Sequence, residues 1–379
     1  MNKQLIQLGC LVALAFPLAS AAQESVDQAV MQKIRTEGLQ HSQVMDIAFN
    51  LTDKSGNRLT NSAGFSRAAN YAKETLTSWG VAKATIDPWG EFGKGWDLEK
   101  MYFAVTAPYY KPLLAWPKTW TAGTKGLKKG TLLLVDAKDS AALEAYRGQL
   151  KGKIIILDQQ NIYKHSFTAD AKRYTEEELA AMAAAKPAAP RGAAAPTDTA
   201  AQRRMRDAMR AGGMGGAARV LNLLKAMAVQ EGAYAMISTS TRNHDGTIFA
   251  QGGGSYKASD PANFLDMAVG VEDYNTLLRL AKSGTPVNFD LDVKSSFQDK
   301  DLQGYNVIAE IPGTDPKLKD EVVMIGAHLD SWQTGTGANH HWWHGRGHFH
   351  CGTGPGGSAA GRDRAYFRRD GAGRVGPPL

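Results

Sequence analysis

Apolar positions recur at helical spacing in two segments near the start of the chain. Residues 26–50 form the first segment and residues 65–79 form the second. In the second segment the apolar residues stand three and four positions apart, which is the period of an amphipathic helix. They are Phe65, Ala68, Ala69, Ala72, Leu76 and Trp79. Gly80 follows, and glycine commonly ends a helix, so each segment is predicted to be helical.

The middle of the chain alternates β-rich runs with helical ones. The predicted order is strand 130–137, helix 140–150, strand 152–158, helix 220–229, strand 232–239, and a strand that leads into a helix over 263–273. Such alternation is typical of a compact α/β unit. We therefore expect an α/β chain in which residues 112–293 form an inserted unit.

A polar pair follows an apolar run near residue 325. The run Val322–Ile325 predicts a buried strand, and residues 305–313 predict the strand before it, so we expect an antiparallel hairpin. The second strand ends in small residues and then presents His328 and Asp330. Strand ends are where α/β proteins place reactive side chains. A histidine with a carboxylate two positions away suits a metal ligand whose other ring N–H donates to that carboxylate.

The alternative for His328 is a purely structural histidine, which is the commoner role of a single histidine. Catalytic zinc needs about three protein ligands and an open position. From the residues alone, His328 is thus one candidate metal ligand, and Asp330 is its candidate orienting group.

Composition narrows the class of protein. The apolar fraction of 43% and the charged fraction of 21% are those of a globular chain. The net charge is +7, but after residue 339 six Arg stand against two Asp and contribute +4 of it. A nucleic-acid partner is therefore not expected. Residues 169–218 are rich in Ala and Pro and lack large apolar side chains, so they predict a surface insertion. An acidic partner for the arginines of that insertion is the alternative.

Residues 1–22 have the pattern of a secretory signal peptide. Lys3 supplies the positive start, residues 11–18 are mostly apolar, and residues 19–21 are small, as at a cleavage site. No segment approaches the roughly 20 apolar residues that span a bilayer. After cleavage only Cys351 remains, so no intramolecular disulfide is expected. The pattern predicts a secreted or periplasmic protein, with an anchored N-terminus as the alternative.

The segment GYNVIAEIPGTDPKLKDEVVMIGAHLDSWQTGTGA (304–338) carries a family resemblance. It resembles the entry to the catalytic domain of secreted di-zinc exopeptidases, the co-catalytic aminopeptidase family, in the branch that includes carboxypeptidase Q. Residues 51–80 resemble the N-terminal segment of that branch, and residues 112–293 resemble its inserted protease-associated domain. The resemblance covers residues 26–338 and implies a central mixed sheet flanked by helices.

The resemblance also implies a chemistry. His328 would bind one of two zinc ions, and Asp330 would orient it. A metal-activated water would hydrolyse short peptides or dipeptides, and a homodimer is one candidate assembly. The family's bridging Asp, its Glu-Glu pair, a later Asp and a final His should follow, yet no position after Ala338 matches them.

Residues 339–379 do not continue the pattern of a folded domain. They hold no Lys and no Glu, but ten Gly, six Arg and five His, without a hydrophobic period. The prediction is a disordered tail left by truncation or a shifted reading frame, and a metal-binding tail is the alternative. The chain is then expected to be inactive as a peptidase. The alternative function is a non-catalytic protein-interaction module built on residues 112–293.

The expected organisation is signal peptide 1–22, N-terminal part of the peptidase domain 23–111, inserted unit 112–293, start of the catalytic sheet 294–338 and tail 339–379.

Overall fold

Two β-sheets organise the part of the chain that the computed structural model describes. The described residues are 27–158, 167, 173–184, 214–239, 248–261, 263–319, 321–337, 352–353 and 364–367. The predicted signal peptide and most of the predicted insertion 169–218 lie outside them. None of the described helices is long and apolar enough to cross a membrane.

The described residues between 27 and 80 supply helices, as predicted. Helix α1 is Gln28–Gln40, α2 is Val44–Phe49, a π-helical turn covers Asn50–Lys54, and α3 is Ala63–Ser78. The Ser62 side chain accepts a hydrogen bond from the Phe65 N–H and so caps the start of α3. Gly80 follows α3 with φ of +75°, a conformation that glycine adopts readily.

The remaining elements alternate between strands and helices. In chain order they are β1 Thr85–Glu91, β2 Gly95–Ala107, β3 Lys111–Pro112, β4 Ala115–Pro117, β5 Lys128–Val135, α4 Ser140–Glu144, β6 Lys153–Leu157, α5 Glu176–Ala184, α6 Met214–Glu231, β7 Ala235–Ser238, β8 Asp266–Val269, α7 Val271–Lys282, β9 Asn288–Gln298, β10 Gln303–Ile308, β11 Val323–His328, β12 Gly352–Thr353 and β13 Arg364–Phe367. The predicted α/β class is confirmed.

The larger sheet has eight strands in the order β3-β2-β9-β5-β6-β7-β8-β4. Strands β5 to β8 run parallel to one another, and the outer pairs are antiparallel. Side chains alternate between the two faces of a strand. Ile155 therefore joins the core that α6 covers, whereas Ile154 and Ile156 join the core that α7 covers. All three side chains are fully buried.

The larger sheet extends beyond the predicted unit 112–293 at both ends. Strand β2 precedes residue 112, yet it pairs with β9 along nearly its whole length, from Gly95 with Gln298 to Ala107 with Asn288. The chain thus enters this sheet at residue 95 and leaves it at residue 298. The sequence pattern placed the start of this unit near Pro112, because the pairing of two distant strands leaves no local signal.

The smaller sheet has five strands in the order β1-β10-β13-β11-β12. The predicted hairpin is wrong, because β10 pairs with β1 and β13, and β11 pairs with β13 and β12. The long connection over residues 309–322 lets another strand lie between them. That strand, β13, belongs to the tail for which the sequence predicts no regular element. Its sequence, RAYF, contains aromatic residues that favour strands.

Helix α3 covers the smaller sheet. Phe65, Ala69 and Leu76 on one face of the helix pack against Val307 and Ala309, at the end of β10 and just after it. These are positions of the helical pattern that the sequence shows, so the period correctly identified the buried face.

Candidate functional site

The motif residues His328 and Asp330 lie together at the end of β11. The His328 Nδ1 atom lies 3.1 Å from Asp330 Oδ1 and 3.0 Å from the Asp330 backbone oxygen. Both side chains are about one-third exposed. The hydrogen bond with Asp330 raises the pKa of His328, and partial burial opposes that rise. Since both neighbours of Nδ1 are oxygen acceptors, the proton of a neutral imidazole belongs on Nδ1.

A second contact fixes the Asp330 carboxylate. The Thr60 hydroxyl donates to Asp330 Oδ2 at 3.1 Å. Thr60 lies in the turn-rich loop before α3 and is itself buried. The two carboxylate oxygens therefore contact different partners, which orients the group toward the imidazole.

Arg58 organises the loop that carries the motif, and sequence reasoning missed it. Its side chain is 1% exposed. The guanidinium donates from Nε to the Leu329 carbonyl at 2.8 Å and from Nη1 to the Leu51 carbonyl at 2.7 Å. Its backbone exchanges hydrogen bonds with Ser331, whose Oγ accepts at 2.9 Å. Burial lowers the pKa of Arg58, and the nearby Asp330 charge opposes that effect.

No sequence signal identifies Arg58 in advance. It stands in a loop of polar and turn-forming residues, where an arginine is ordinarily solvated. Its partners on the motif loop lie more than 270 positions away along the chain. Only the packing of the α2–α3 loop against the end of β11 reveals the role.

The residues after the motif are hydrogen-bonded to β4 and to the segment that precedes β8. The Gln333 Nε2 group donates to the Pro117 carbonyl, and the Thr334 hydroxyl accepts from the Ala250 N–H at 3.0 Å. Gln333 and Thr334 are both buried. The motif loop is thus held from two sides, by Arg58 of the α2–α3 loop and by the backbone groups of Pro117 and Ala250.

A cleft of about 440 Å³ opens beside Asp330. It is lined by Leu59, Thr60, Trp89, Glu91, Phe92, Trp120, Tyr256, Asp330, Ser331 and Trp332. The Phe92 and Tyr256 rings stack at 4.8 Å, and the Trp120 ring lies tilted 5.5 Å from that of Tyr256. The volume falls within the range of small-molecule sites. These rings come from four separate parts of the chain, so no local sequence pattern indicates that they lie together.

The donor set of a zinc site is incomplete within the described residues. One imidazole with an orienting carboxylate fits one ligand position of such a site. Nowhere in the described ranges do three His, Cys, Asp or Glu side chains gather closely enough to hold a metal ion. Catalytic zinc needs about three protein ligands, so this set does not fit a complete zinc centre. The predicted His cluster at 340–350 lies outside the described residues.

The motif segment matches a known peptidase family. Residues 306–340 match the sequence profile of Peptidase family M28. Carboxypeptidase Q of Xenopus laevis is 37% identical over 71 residues, and the human carboxypeptidase Q is 35% identical over 68 residues. These alignments cover 19% and 18% of this chain, and each spans 14% of the relative's length. The motif segment is therefore similar to that of M28 peptidases.

Solved structures give a weaker likeness. A Peptidase M28 precursor from Shewanella amazonensis SB2B has a TM-score of 0.46 at 18% identity, and the match covers 91% of this chain and 67% of that one. An aminopeptidase from Aneurinibacillus sp. strain AM-1 has a TM-score of 0.35 at 15% identity, with 78% and 54% covered. At these scores the overall likeness carries no weight, and the motif segment carries the similarity.

Proposed function

We propose that the chain carries the first zinc-ligand segment of a secreted or periplasmic metallo-exopeptidase of the M28 type. The observation that carries the proposal is the contact between His328 Nδ1 and Asp330 Oδ1 at 3.1 Å. In metal sites the ligating imidazole commonly donates its other N–H to a carboxylate, which fixes the ring and raises its basicity. In this arrangement His328 binds a zinc ion through Nε2, and Asp330 orients the ring.

The proposed substrates are short peptides or dipeptides, as the resemblance implies. When a full ligand set binds zinc, the metal activates water for hydrolysis. The described residues do not supply that set. We therefore propose that the 379-residue chain is silent as a peptidase. We also propose that residues 339–379 derive from a shifted reading frame or a truncation. Sequencing the locus tests this origin of the tail, and finding no peptidase motif in any reading frame would exclude it.

Nuclear magnetic resonance of the histidine rings tests the ligand assignment directly. The full chain is labelled with ¹⁵N in its imidazoles and titrated with Zn²⁺, and His328→Ala assigns the His328 signals. We expect the Nε2 resonance of His328 to respond while Nδ1 keeps its proton. The signals of the five tail histidines are followed in the same spectra and compared with those that His328→Ala removes.

His41 is the matched control. His41 directly follows α1, and its Nδ1 lies 3.4 Å from Oε2 of Glu37 in an exposed pair. A preoriented ligand gains affinity over a mobile one, typically ten- to a hundredfold at metal sites. His328 should respond at a Zn²⁺ concentration about tenfold below that of His41. An equal or weaker response of His328 would remove the metal-ligand assignment.

A non-catalytic interaction module is the second candidate. The observation in its favour is that the two largest core clusters of the larger sheet draw on described residues between Leu98 and Val293, although a smaller cluster joins Trp96 and Phe297 of that sheet to Leu59 and Trp332. A unit with its own core is able to fold alone. Residues 95–298, expressed separately, should then unfold cooperatively and retain a protein partner, and failure on either count excludes this candidate.

A further inference from the structure

The cleft beside Asp330 has an unusual combination of lining groups. Among the ten described residues that line it, five are aromatic and two are carboxylates, and none of the ten is Lys or Arg. The five rings belong to Trp89, Phe92, Trp120, Tyr256 and Trp332. Aromatic faces carry negative charge density and attract cations, most strongly on tryptophan. The lining thus favours a positively charged ligand with an apolar stem.

The rings are fixed before any ligand arrives. The Trp120 backbone has φ of +59°, which is rare for a bulky residue. Its indole donates to the Lys94 carbonyl at 2.8 Å and is almost fully buried. A Cβ on Gly254 would come within 1.9 Å of the Trp120 carbonyl, so the chain is pressed closely against this residue. Backbone strain that is held in place by packing often marks a functional site.

Glu91 supplies charge that no described residue neutralises. Its side chain is exposed at the end of β1, and no described residue forms an ion pair or hydrogen bond with its carboxylate. The other lining carboxylate, Asp330, contacts Thr60 and His328. Glu91 is therefore the lining carboxylate whose oxygens remain open to a cation.

Arg58 and Lys94, two described cations that contact residues around the cleft, are not part of its lining. Arg58 is buried behind the motif loop. The Lys94 ammonium bonds to the Asp260 carbonyl and lies over the Phe297 ring at 5.4 Å. Neither side chain lines the cleft, so a positive ligand meets rings and carboxylates rather than a like charge.

We propose that this cleft binds the lysine or arginine side chain of a peptide, with the stem against the rings and the cationic head toward Glu91. The proposal rests on the proposed function for the peptide nature of the ligand, since the cleft borders the motif carboxylate. A phosphorylated or acidic side chain is excluded by the charge of the lining. The cleft thereby becomes a specificity pocket next to the candidate metal ligand.

Binding to the full, zinc-free chain tests the pocket separately from hydrolysis. The probes are Nα-acetyl-lysinamide, its neutral isostere Nα-acetyl-norleucinamide, and norleucinamide, whose only cation is the α-ammonium group. Tryptophan fluorescence reports binding because three indoles line the cleft. We expect the acetylated lysine probe to bind about fivefold or more tightly than its norleucine counterpart, which corresponds to a cation–π and ionic gain of about 1 kcal/mol. Norleucinamide should match the neutral probe.

Two variants locate the effect. Glu91→Gln should weaken the lysine probe about threefold or more and leave the norleucine probe unchanged. Tyr256→Leu should weaken both cationic and neutral probes because it removes a ring face. Glu74→Gln, the same change at an exposed site on α3 outside the lining, is the control.

Equal binding of the two acetylated probes would overturn the proposal, and so would undetectable binding of both. Stronger binding of norleucinamide than of the lysine probe would assign the pocket to a peptide N-terminus instead. Equal effects of the Glu91 and Glu74 variants would also overturn it. None of these results bears on zinc binding by His328, which the histidine resonances report independently.

Discussion

Replacing Arg58 should loosen the loop that holds His328 and Asp330. Arg58→Met keeps a long apolar stem but removes the donors that reach the Leu329 and Leu51 carbonyls at 2.8 and 2.7 Å. Charged hydrogen bonds of this kind are worth about 1.5–3 kcal/mol each. Burial of the Arg58 charge is itself unfavourable, as its lowered pKa indicates, and a neutral methionine avoids this cost, which offsets part of the loss. We expect a net loss of about 3 kcal/mol in the local stability of the loop.

Hydrogen–deuterium exchange measures that loss where it occurs. Peptides over residues 323–337 should exchange about two orders of magnitude faster in the variant, since each 1.4 kcal/mol is a factor of about ten. Peptides over β5 and β6 should keep their protection, because Arg58 does not contact the larger sheet through any of its described hydrogen bonds. Local opening is visible in this experiment even when global unfolding is not.

Arg67 supplies the matched control. It is exposed, and it donates to the Ser55 carbonyl of the same α2–α3 region at 2.7 Å. Arg67→Met should cost less than about 1 kcal/mol, since exposed pairs are weak. Arg58→Lys, which keeps the charge but loses the planar fork, should fall between the two. Equal protection losses over residues 323–337 in the Arg58→Met and Arg67→Met chains would refute the role given to Arg58.

Three further predictions follow from contacts elsewhere. In zinc-free protein, Asp330→Asn should lower the pKa of His328, which its ring resonances measure, and an unchanged pKa would exclude the contact. Because the contact raises this pKa, protonated His328 stabilises the fold at low pH, and that contribution is lost as the pH rises through the folded-state pKa. The Glu231 carboxylate accepts from the Gly148 N–H at 2.8 Å, which lowers the pKa of Glu231. Its contribution to the free energy of unfolding is therefore present above the ordinary glutamate pKa and disappears as the pH falls through the lowered value. The stability difference between wild type and Glu231→Gln should shrink in acid, and a pH-independent difference would contradict the assignment. Phe65→Ala should cost about 3–4 kcal/mol in urea unfolding because the ring is 3% exposed in the α3 core, and a loss below about 1 kcal/mol would contradict that packing.

The local sequence pattern predicted helices and strands better than it predicted which strands pair with each other. The helical period around Phe65 identified both α3 and its buried face, and the apolar run over residues 152–158 identified the strand β6. Pairing was not predictable, because β2 and β9 join across almost the whole larger unit and leave no local signal. The hairpin prediction failed for the same reason, since β13 lies between strands that are neighbours along the chain.

In the candidate site too, the local pattern predicted the motif residues but not their contacts with distant segments. The spacing of His328 and Asp330 placed them within hydrogen-bonding distance, and the structure has them there. Arg58, Thr60 and the cleft rings were not predicted, because each acts through contacts between segments far apart in sequence. Their role follows from packing rather than from any motif.

Peptide hydrolysis by the purified 379-residue chain is the most direct test of the central proposal, which is a metal ligand at His328 without a complete ligand set among the described residues. Dipeptides and short peptides with free ends are incubated with the chain and Zn²⁺, and released amino acids are quantified beside His328→Ala and a chelator-treated sample. The account predicts the same background rate in all three. Hydrolysis that zinc supports, and that both the chelator and His328→Ala abolish, would contradict it.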